Sequence, residues 1–247
     1  MAEDQPLIVY GMHSPNVRKV LIMLEELELP YELRHVGVFK GEQFTPEFLA
    51  LNPLAKVPVL VDPKLGEPLA ESGAILFWLA ERSGGAFLPP QGPARYAVMQ
   101  WLMVQMANIG PMFGQLNHFQ LVAQDGEAYA RGRYAAQAER LYRLLDDRLA
   151  DHEWLAGEAY SIADIATHPW AHYLEQHGFD AAQHPHLARW RKAIDARPAI
   201  ARVKERLAGD FLVIANAMRR SATTSDLDRF FGRTETMPPA DYSAITG

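Results

Sequence analysis

The spacing of apolar residues divides the chain into two parts. Before about residue 84, short strand-like runs alternate with stretches that carry apolar residues at the helical period. Strands are predicted at "LIVY" (7–10), "YELRHV" (31–36), "VPVLVD" (57–62) and "EPLAES" (67–72). Helices are predicted from the apolar face that starts at Val17, over 45–52, and over 72–82. The order βαβ followed by ββα predicts a four-stranded mixed sheet with helices on its faces.

The segment "SGGAFLPPQGP" (83–93) ends this pattern, because it is dense in glycine and proline. Beyond it only helices are predicted, over roughly 94–122, 127–151, 161–177, 185–196 and 198–208. Gly110-Pro111 should end or kink the first of these, and Ser161 with Asp164 predicts a capping box. After Gly209 the polar composition predicts an extended tail, with apolar docking points at "FLVIANAM" and "FF". We therefore predict an α/β domain over 1–84, a linker over 85–93, an all-helical domain over 94–208 and a tail over 209–247.

Composition narrows the functions that fit this organisation. The 247 residues carry a formal net charge of −6, which argues against nucleic acid as the main partner. No apolar run reaches the length of a membrane helix, and "MAEDQP" does not resemble a signal peptide, so we expect a cytoplasmic protein without a membrane partner. The chain has no cysteine, which excludes disulfides, thiolate metal ligands and a protein thiol nucleophile. Any thiol chemistry must therefore use a small-molecule thiol.

The junction between the first strand and the first helix carries Ser14-Pro15-Asn16. Serine is a favoured helix cap, and proline suits the first helical position. Capping alone explains the pattern. However, the free N–H groups and the dipole of a helix N terminus also favour a bound anion or thiolate. Both interpretations are open on these residues alone.

Two further positions admit a structural and a functional interpretation. Pro58 fits an ordinary edge strand, which is favoured on its own, or a cis turn that leaves the Val57 backbone free to pair with an extended peptide. Ser72 is expected to cap the helix that follows Glu71, and this helix should begin at the same sheet end as Ser14. The Glu71 carboxylate beside two helix N termini would suit the amino-acid end of a small peptide. Glu71 would pair with the ammonium group of the peptide, and Ser72 would bind the carboxylate of the peptide.

Two polar clusters in the helical part have more than one interpretation. His168 and His172 are four residues apart, but a proline intervenes and no third ligand has a suitable spacing, so we predict no metal site. Gln115, Asn117 and His118 make "GQLNHF" (114–119) an unusually polar interruption between helices. This interruption is either a solvated loop or part of a polar pocket.

In combination, these motifs resemble the cytosolic glutathione transferases. The resemblance covers residues 6 to about 208 and is carried by "SPN", "KVPVL", "LAESGAIL", "SIADIATHPW" and the all-helical second half. "GEQFTPEFLALNP", "IGPMFGQLNHF" and "ARGRYAAQAERLY" further resemble the bacterial nu class, which is related to disulfide-reducing members; the long tail departs from its shorter chains. The resemblance implies an α/β thioredoxin-like domain followed by an all-α domain, a homodimer, and glutathione as co-substrate without a metal.

The resemblance also implies a glutathione site. Ser14 would donate to the glutathione sulfur, and Asn16 would be its companion. The other matched positions would hold the rest of the peptide: Gln43 and Lys56 its glycine end, Val57 its cysteinyl backbone, and Glu71 with Ser72 its γ-glutamyl end. Arg133 matches a class arginine implicated in holding the second of two glutathiones.

Three functions are compatible with this site. The first is a glutathione-dependent disulfide reductase, in which two glutathione thiols supply both electrons. The second is conjugation, or thioether or aryl-ether cleavage, by thiolate attack on an electrophile; Gln115, Asn117 and His118 would line the pocket in either case. The third is a non-enzymatic regulator on the same fold, against which the intact Ser14 and Asn16 weigh.

Overall fold

A three-stranded sheet organises the first part of the molecule, seen in a computed structural model that describes residues 6–121, 128–237 and 239–246. Strand β1 (Leu7–Gly11) lies in the centre, parallel to β2 (Tyr31–His35) and antiparallel to β3 (Val59–Val61). The predicted fourth strand is wrong in extent, because Leu69 only forms an isolated bridge with Leu60. Proline at position 68 has no N–H for a ladder, and the chain turns into the next helix at residue 72, so the bridge cannot lengthen.

Three helices flank this sheet: α1 (Pro15–Glu26), α2 (Pro46–Leu51) and α3 (Ser72–Arg82). Short 3₁₀ turns at Val38–Lys40 and Glu42–Phe44 precede α2. The apolar face of α1 is fully buried between the sheet, α3 and helices of the second part. This packing fixes the N terminus of α1 at the carboxyl end of β1, where the candidate chemistry lies.

The second part of the chain begins with two helices that are joined by a π turn. Helix α4 (Gly92–Val104) continues through a π turn at Gln105–Ile109 into α5 (Gly110–Leu121). The missing N–H of Pro111 falls in the first turn of α5, where the ladder is already interrupted. The predicted interruption at "GQLNHF" is wrong, because these residues lie inside α5, held by the burial of Phe113 and Leu116 on one face of that helix.

Four more helices complete the second part: α6 (Ala128–Asp151), α7 (Ile162–Ala171), α8 (Pro185–Asp195) and α9 (Pro198–Leu207). All residues of α7 are buried, and it packs against α1. The predicted capping box of Ser161 and Asp164 is confirmed. Helix α7 ends well before residue 177, where the sequence prediction had placed its end. No helix among the described residues combines the length and the hydropathy needed to cross a membrane.

The C-terminal tail is helical, so the prediction of an extended tail is wrong. It forms α10 (Asp210–Arg220), α11 (Thr224–Phe231) and a short α12 (Ser243–Thr246). A capping box at Thr223 and a left-handed glycine at position 232 bound α11, which explains why a mostly polar sequence folds there. The tail returns to the first part, where Phe230 packs on Phe39 with ring centroids 4.9 Å apart and Lys40 Nζ lies 2.7 Å from Asp226.

Candidate functional site

Ser14 caps α1 and keeps its own proton available. Its backbone is extended, and its Oγ accepts a hydrogen bond of 3.4 Å from the Val17 N–H. No hydrogen bond among the described residues uses the Ser14 hydroxyl as donor. The helix reaches the end of β1 only because residue 11 is glycine, since a Cβ there would lie 2.7 Å from a Val17 methyl group. The site therefore offers a hydroxyl donor at a positive helix end.

Asn16 is held by a residue from the second part of the chain. The indole Nε1 of Trp170 in α7 donates a 3.0 Å hydrogen bond to Asn16 Oδ1. Because an indole N–H can only donate, this bond orients the Asn16 amide and leaves its NH₂ group to donate elsewhere. No local pattern in the sequence points to Trp170 as a residue of the site. The bond ties the candidate site to the buried helix α7.

The residues assigned to the glycine and cysteine ends have free polar groups. Gln43 is buried, and its Oε1 has no hydrogen-bond partner. Lys56 is exposed, and its carbonyl accepts 2.8 Å from Asn52. Val57 precedes a cis bond to Pro58 at the start of the edge strand β3, and none of the hydrogen bonds of the described residues uses the Val57 backbone. A buried unpaired oxygen and a free edge backbone fit an extended peptide such as glutathione.

The start of α3 differs from its prediction. Glu71, not Ser72, takes the N-cap position, and no side chain caps this helix, so the expected Ser72 cap is wrong. Ser72 is instead the first helical residue, buried with its Oγ 3.9 Å from Met106 Sδ. Glu71 is exposed and has a φ of 65°, a costly backbone conformation for a residue other than glycine. The N–H groups of α3 are therefore left for a ligand, with a carboxylate beside them.

A buried lysine beneath the site was also missed. Lys19 lies on α1 with no exposed surface, and its Nζ donates 2.7 Å to Gln105 Oε1 in the π turn and contacts Met106 Sδ at 3.5 Å. Burial lowers the pKa of Lys19 to about 7, against the opposing effect of the Glu71 carboxylate. The signal in the sequence was a lysine within the apolar face of a helix. Because this pKa lies near neutrality, Lys19 is about half protonated at pH 7 and adds a partial positive charge beneath the site.

This shift gives a prediction for stability. The unfolded chain holds the Lys19 proton up to a pKa of about 10.4, whereas the folded chain releases it near 7, so stability should rise with pH between these values. We expect the free energy of unfolding to increase by about 2 kcal/mol from pH 7 to pH 9. Urea denaturation at both pH values measures it, and Lys19→Met should remove the increase. An equal pH dependence in the variant would contradict the assignment.

A cavity of about 370 Å³ lies next to this helix end. Met12 and His13 form one wall, α5 contributes Asn117, the turn after α7 contributes Tyr173, and the tail supplies much of the rest. The tail residues that line it are Leu212, Ala215, Asn216, Met218, Arg219, Phe230, Phe231, Ala244 and Ile245. The tail, predicted over the 39 residues 209–247, therefore builds part of the pocket.

The three polar residues of α5 that were predicted to line the pocket differ in their position relative to the cavity. Asn117 lines the cavity, and its Oδ1 lies 3.1 Å from both Gln176 Nε2 and His177 Nε2. Gln115 is exposed and is not among the lining residues. His118 packs against Phe231 of the tail, with ring centroids 5.1 Å apart. The structure thus brings one of the three side chains to the cavity.

Arg133 lies apart from this cavity. It is exposed in the first turns of α6 and borders a shallow groove together with Tyr129 and Gln137. The residues assigned to the first glutathione lie at the N termini of α1 and α3, in the 3₁₀ turn Glu42–Phe44 and in the loop before β3. Among the described residues, none of them borders the groove of Arg133. Its assignment to a second glutathione stays a prediction.

Known proteins with similar sequences and structures identify the family. Residues 13–82 match the glutathione S-transferase N-terminal domain, and residues 111–198 match the glutathione S-transferase C-terminal domain. The disulfide-bond oxidoreductase YfcG of Escherichia coli K12 is 44% identical over 196 residues, which cover 77% of this chain and 91% of YfcG.

Two solved structures extend the likeness. A glutathione transferase family member from Pseudomonas fluorescens, with two glutathione bound, is 41% identical with a TM-score of 0.75, over 82% of this chain and 94% of that one. A glutathione transferase from Burkholderia graminis, with two glutathione molecules per subunit, is 44% identical with a TM-score of 0.74, over 82% of this chain and 89% of that one. An α/β domain followed by helices is the architecture implied by the sequence resemblance, which is confirmed. The chain belongs to the glutathione S-transferase family.

Proposed function

We propose that this protein is a glutathione-dependent disulfide reductase. The observation that carries the proposal is the N terminus of α1, where Ser14 keeps a free hydroxyl donor and Trp170 orients the Asn16 amide. The disulfide-bond oxidoreductase name of YfcG and the two glutathiones in the neighbouring structures support it. The chain has no cysteine, so both electrons must come from glutathione. Such chemistry fits the reducing cytoplasm, where we place the protein.

The energy of thiolate formation is within reach of these groups. A free thiol has a pKa of about 8.5, and lowering it by ~2 units takes about 2.7 kcal/mol. A charge-assisted hydrogen bond from Ser14 contributes ~1.5–3 kcal/mol, and the helix end adds ~0.3–1 kcal/mol. The Asn16 amide offers a further donor, and the protonated fraction of Lys19 adds positive potential. No general base is needed.

The remaining assigned residues hold the peptide in this proposal. The Val57 backbone pairs with the cysteinyl residue, while Gln43 and Lys56 bind the glycine end. Glu71 pairs with the γ-glutamyl ammonium group. The Ser72 hydroxyl and the uncapped N–H groups of α3 bind the carboxylate of the same γ-glutamyl group. This arrangement places the glutathione sulfur at Ser14.

The proposed reaction consumes two glutathiones. The first thiolate attacks one sulfur of the substrate disulfide, so that one thiolate leaves and takes up a proton while a mixed disulfide forms. The second glutathione thiolate attacks the glutathione sulfur of that mixed disulfide and releases the second substrate thiol. The products are oxidised glutathione and two thiols. Arg133 would neutralise a carboxylate of the second glutathione.

Conjugation of an apolar electrophile is the second candidate. The cavity beside the helix end is lined by apolar tail side chains, including Leu212, Phe230 and Ile245, which suits an apolar second substrate. Assays with hydroxyethyl disulfide and with a chlorinated nitrobenzene, each with glutathione, distinguish the two. We expect turnover of the disulfide to be the greater. Activity with the nitrobenzene alone would overturn the reductase proposal and favour conjugation.

The tail gives a prediction about ligand affinity. The double variant Phe230→Ala, Phe231→Ala removes two rings from the cavity wall, so it should weaken binding of S-hexylglutathione about 3- to 10-fold. Binding of glutathione itself should stay within about twofold. Calorimetric titration of both ligands measures this, with Val213→Ala, an exposed residue of the same tail outside the cavity, as the matched control. Equal losses for both ligands would contradict a selective role of the tail.

We also propose a homodimer that is formed through α4 and α6. Large side chains of these helices are strongly exposed: Tyr96 is 69%, Met103 49% and Tyr129 81% exposed in the isolated chain. Light scattering after size-exclusion chromatography should give a dimer at micromolar concentration. The pair Met103→Glu, Tyr129→Glu should shift it to a monomer, whereas Val213→Glu should not. A wild-type monomer would contradict the proposal.

A further inference from the structure

We propose that His168, His172 and Asp195 form a binding site for a divalent transition-metal ion of the zinc type. The two imidazole Nε2 atoms are 3.0 Å apart, and Asp195 Oδ1 lies 3.2 Å from His168 Nε2 and 3.3 Å from His172 Nε2. Three ligand atoms of the kinds that bind zinc thus form a nearly equilateral triangle. This site is separate from the proposed glutathione chemistry, which needs no metal.

The size of the triangle fits a coordinated ion. Zinc binds histidine nitrogen and carboxylate oxygen at about 2.0–2.2 Å, and neighbouring ligand atoms in a tetrahedral site are therefore roughly 3.3 Å apart. Hydrogen bonds satisfy the same triangle poorly. A proton placed along one edge points away from the third atom, and two Nε2–H groups would oppose each other across the 3.0 Å edge. One cation at bonding distance from all three atoms satisfies the whole triangle.

The packing of two helices creates the site. His168 lies in α7 and His172 directly follows it, four residues later, so that both rings lie on one side of the helix axis despite Pro169. Asp195 is the last residue of α8, which packs against α7. The sequence prediction of no metal site assumed that a third ligand was missing. Asp195 supplies that ligand from a distant part of the chain.

Burial differs among the three side chains in a way that suits metal entry. The His168 side chain is 1% exposed, whereas His172 is 28% and Asp195 31% exposed. Because His172 and Asp195 are partly exposed, an ion can reach the triangle from solvent, and a water molecule would take the fourth coordination position, as in zinc sites with three protein ligands. His168 Nδ1 is buried without a hydrogen-bond partner. With an ion on Nε2, the ring proton would lie on this nitrogen, and only Nε2 of His168 faces the triangle.

The charges around the triangle set the expected affinity. A metal binds the neutral imidazole, so zinc and protons compete for the two rings. Arg18 and Arg191 act electrostatically on the histidines, and Lys204 acts on Asp195. Arg191 is compensated by Glu175 at 2.8 Å. Because Arg18 and Lys204 still oppose a cation, we expect a dissociation constant of about 1–10 µM rather than nanomolar affinity.

The test uses the full-length protein without a histidine tag, stripped of metal by a chelator. Titration with zinc chloride in a calorimeter should show one ion per chain, and cobalt chloride should give the visible absorption bands of a four- or five-coordinate ion. His172→Ala and Asp195→Asn should each weaken zinc binding at least about tenfold. Both residues are partly exposed, so these variants should fold, which circular dichroism checks. The matched control is His186→Ala, which removes a histidine of α8 outside the triangle.

The site would be overturned by the absence of zinc binding below about 100 µM, or by equal affinity in wild type, His172→Ala and Asp195→Asn. Equal loss in the His186→Ala control would also contradict it. Disulfide reduction by the metal-stripped protein should stay unchanged. Because the metal titration and the activity assay are independent, failure of one proposal leaves the other standing.

Discussion

Ser14→Ala should lose most of the reductase activity while its affinity for glutathione changes little. The Oγ atom of Ser14 accepts a hydrogen bond from the Val17 N–H, but the hydroxyl proton of Ser14 has no acceptor among the described residues. We expect kcat with hydroxyethyl disulfide to fall roughly 10- to 150-fold, the equivalent of one charge-assisted hydrogen bond of ~1.5–3 kcal/mol. The dissociation constant of glutathione should stay within about threefold, because the peptide is held elsewhere.

The design separates a catalytic role from a structural one. Alanine also removes the cap, which costs about 1 kcal/mol of stability, so thermal unfolding is measured in parallel. Ser14→Thr keeps both the cap and the donor and should retain most of the activity. An unchanged kcat with a lost glutathione affinity would contradict the assignment of Ser14 to the sulfur.

Arg133→Ala should weaken the second glutathione site selectively. In the proposed mechanism, two glutathiones would bring several carboxylates into one cleft, and a guanidinium can bind one carboxylate with two hydrogen bonds. We expect oxidised glutathione to bind with a loss of ~1.5–3 kcal/mol and reductase turnover to fall, while the first glutathione binds as in wild type. Calorimetric titration of reduced and oxidised glutathione measures both effects.

Arg131→Ala is the matched control for this experiment. Arg131 lies two residues before Arg133 in α6 and is also exposed, so the two side chains point to different faces of the helix. The control should leave both affinities unchanged. A single glutathione per subunit in the wild type, or an Arg133→Ala variant with wild-type affinities, would contradict the two-glutathione mechanism and favour conjugation.

The sequence predicted those parts of the site that depend on local pattern. Ser14 lies at a strand–helix junction, where the spacing of apolar residues changes from the strand period to the helix period and so marks the start of the helix. The cap at Ser14 follows from the residue type. The start of α3 was placed correctly at residue 72, but the cap was not. Glu71 adopts a positive φ of 65°, which its residue type does not predict.

The rest depends on contacts between distant residues. Trp170 is 154 positions from Asn16, and Gln105 is 86 positions from Lys19, so neither pair leaves a periodic pattern in the sequence. The tail folds as helices because it packs on the turn around Phe39, and its own polar composition concealed this. Asp195, the third residue of the cluster with His168 and His172, was also missed because it lies far from both histidines in the sequence.

The central claim is that Ser14 stabilises glutathione as a thiolate, and the pKa of the bound thiol measures it most directly. The ultraviolet absorbance of the thiolate, followed against pH with glutathione saturating the wild-type protein and Ser14→Ala, gives this value. We expect a pKa of about 6.5 in the wild type and a return toward about 8.5 in the variant. A bound thiol that titrates near 8.5 in the wild type, or at the same lowered pKa in both proteins, would contradict the claim.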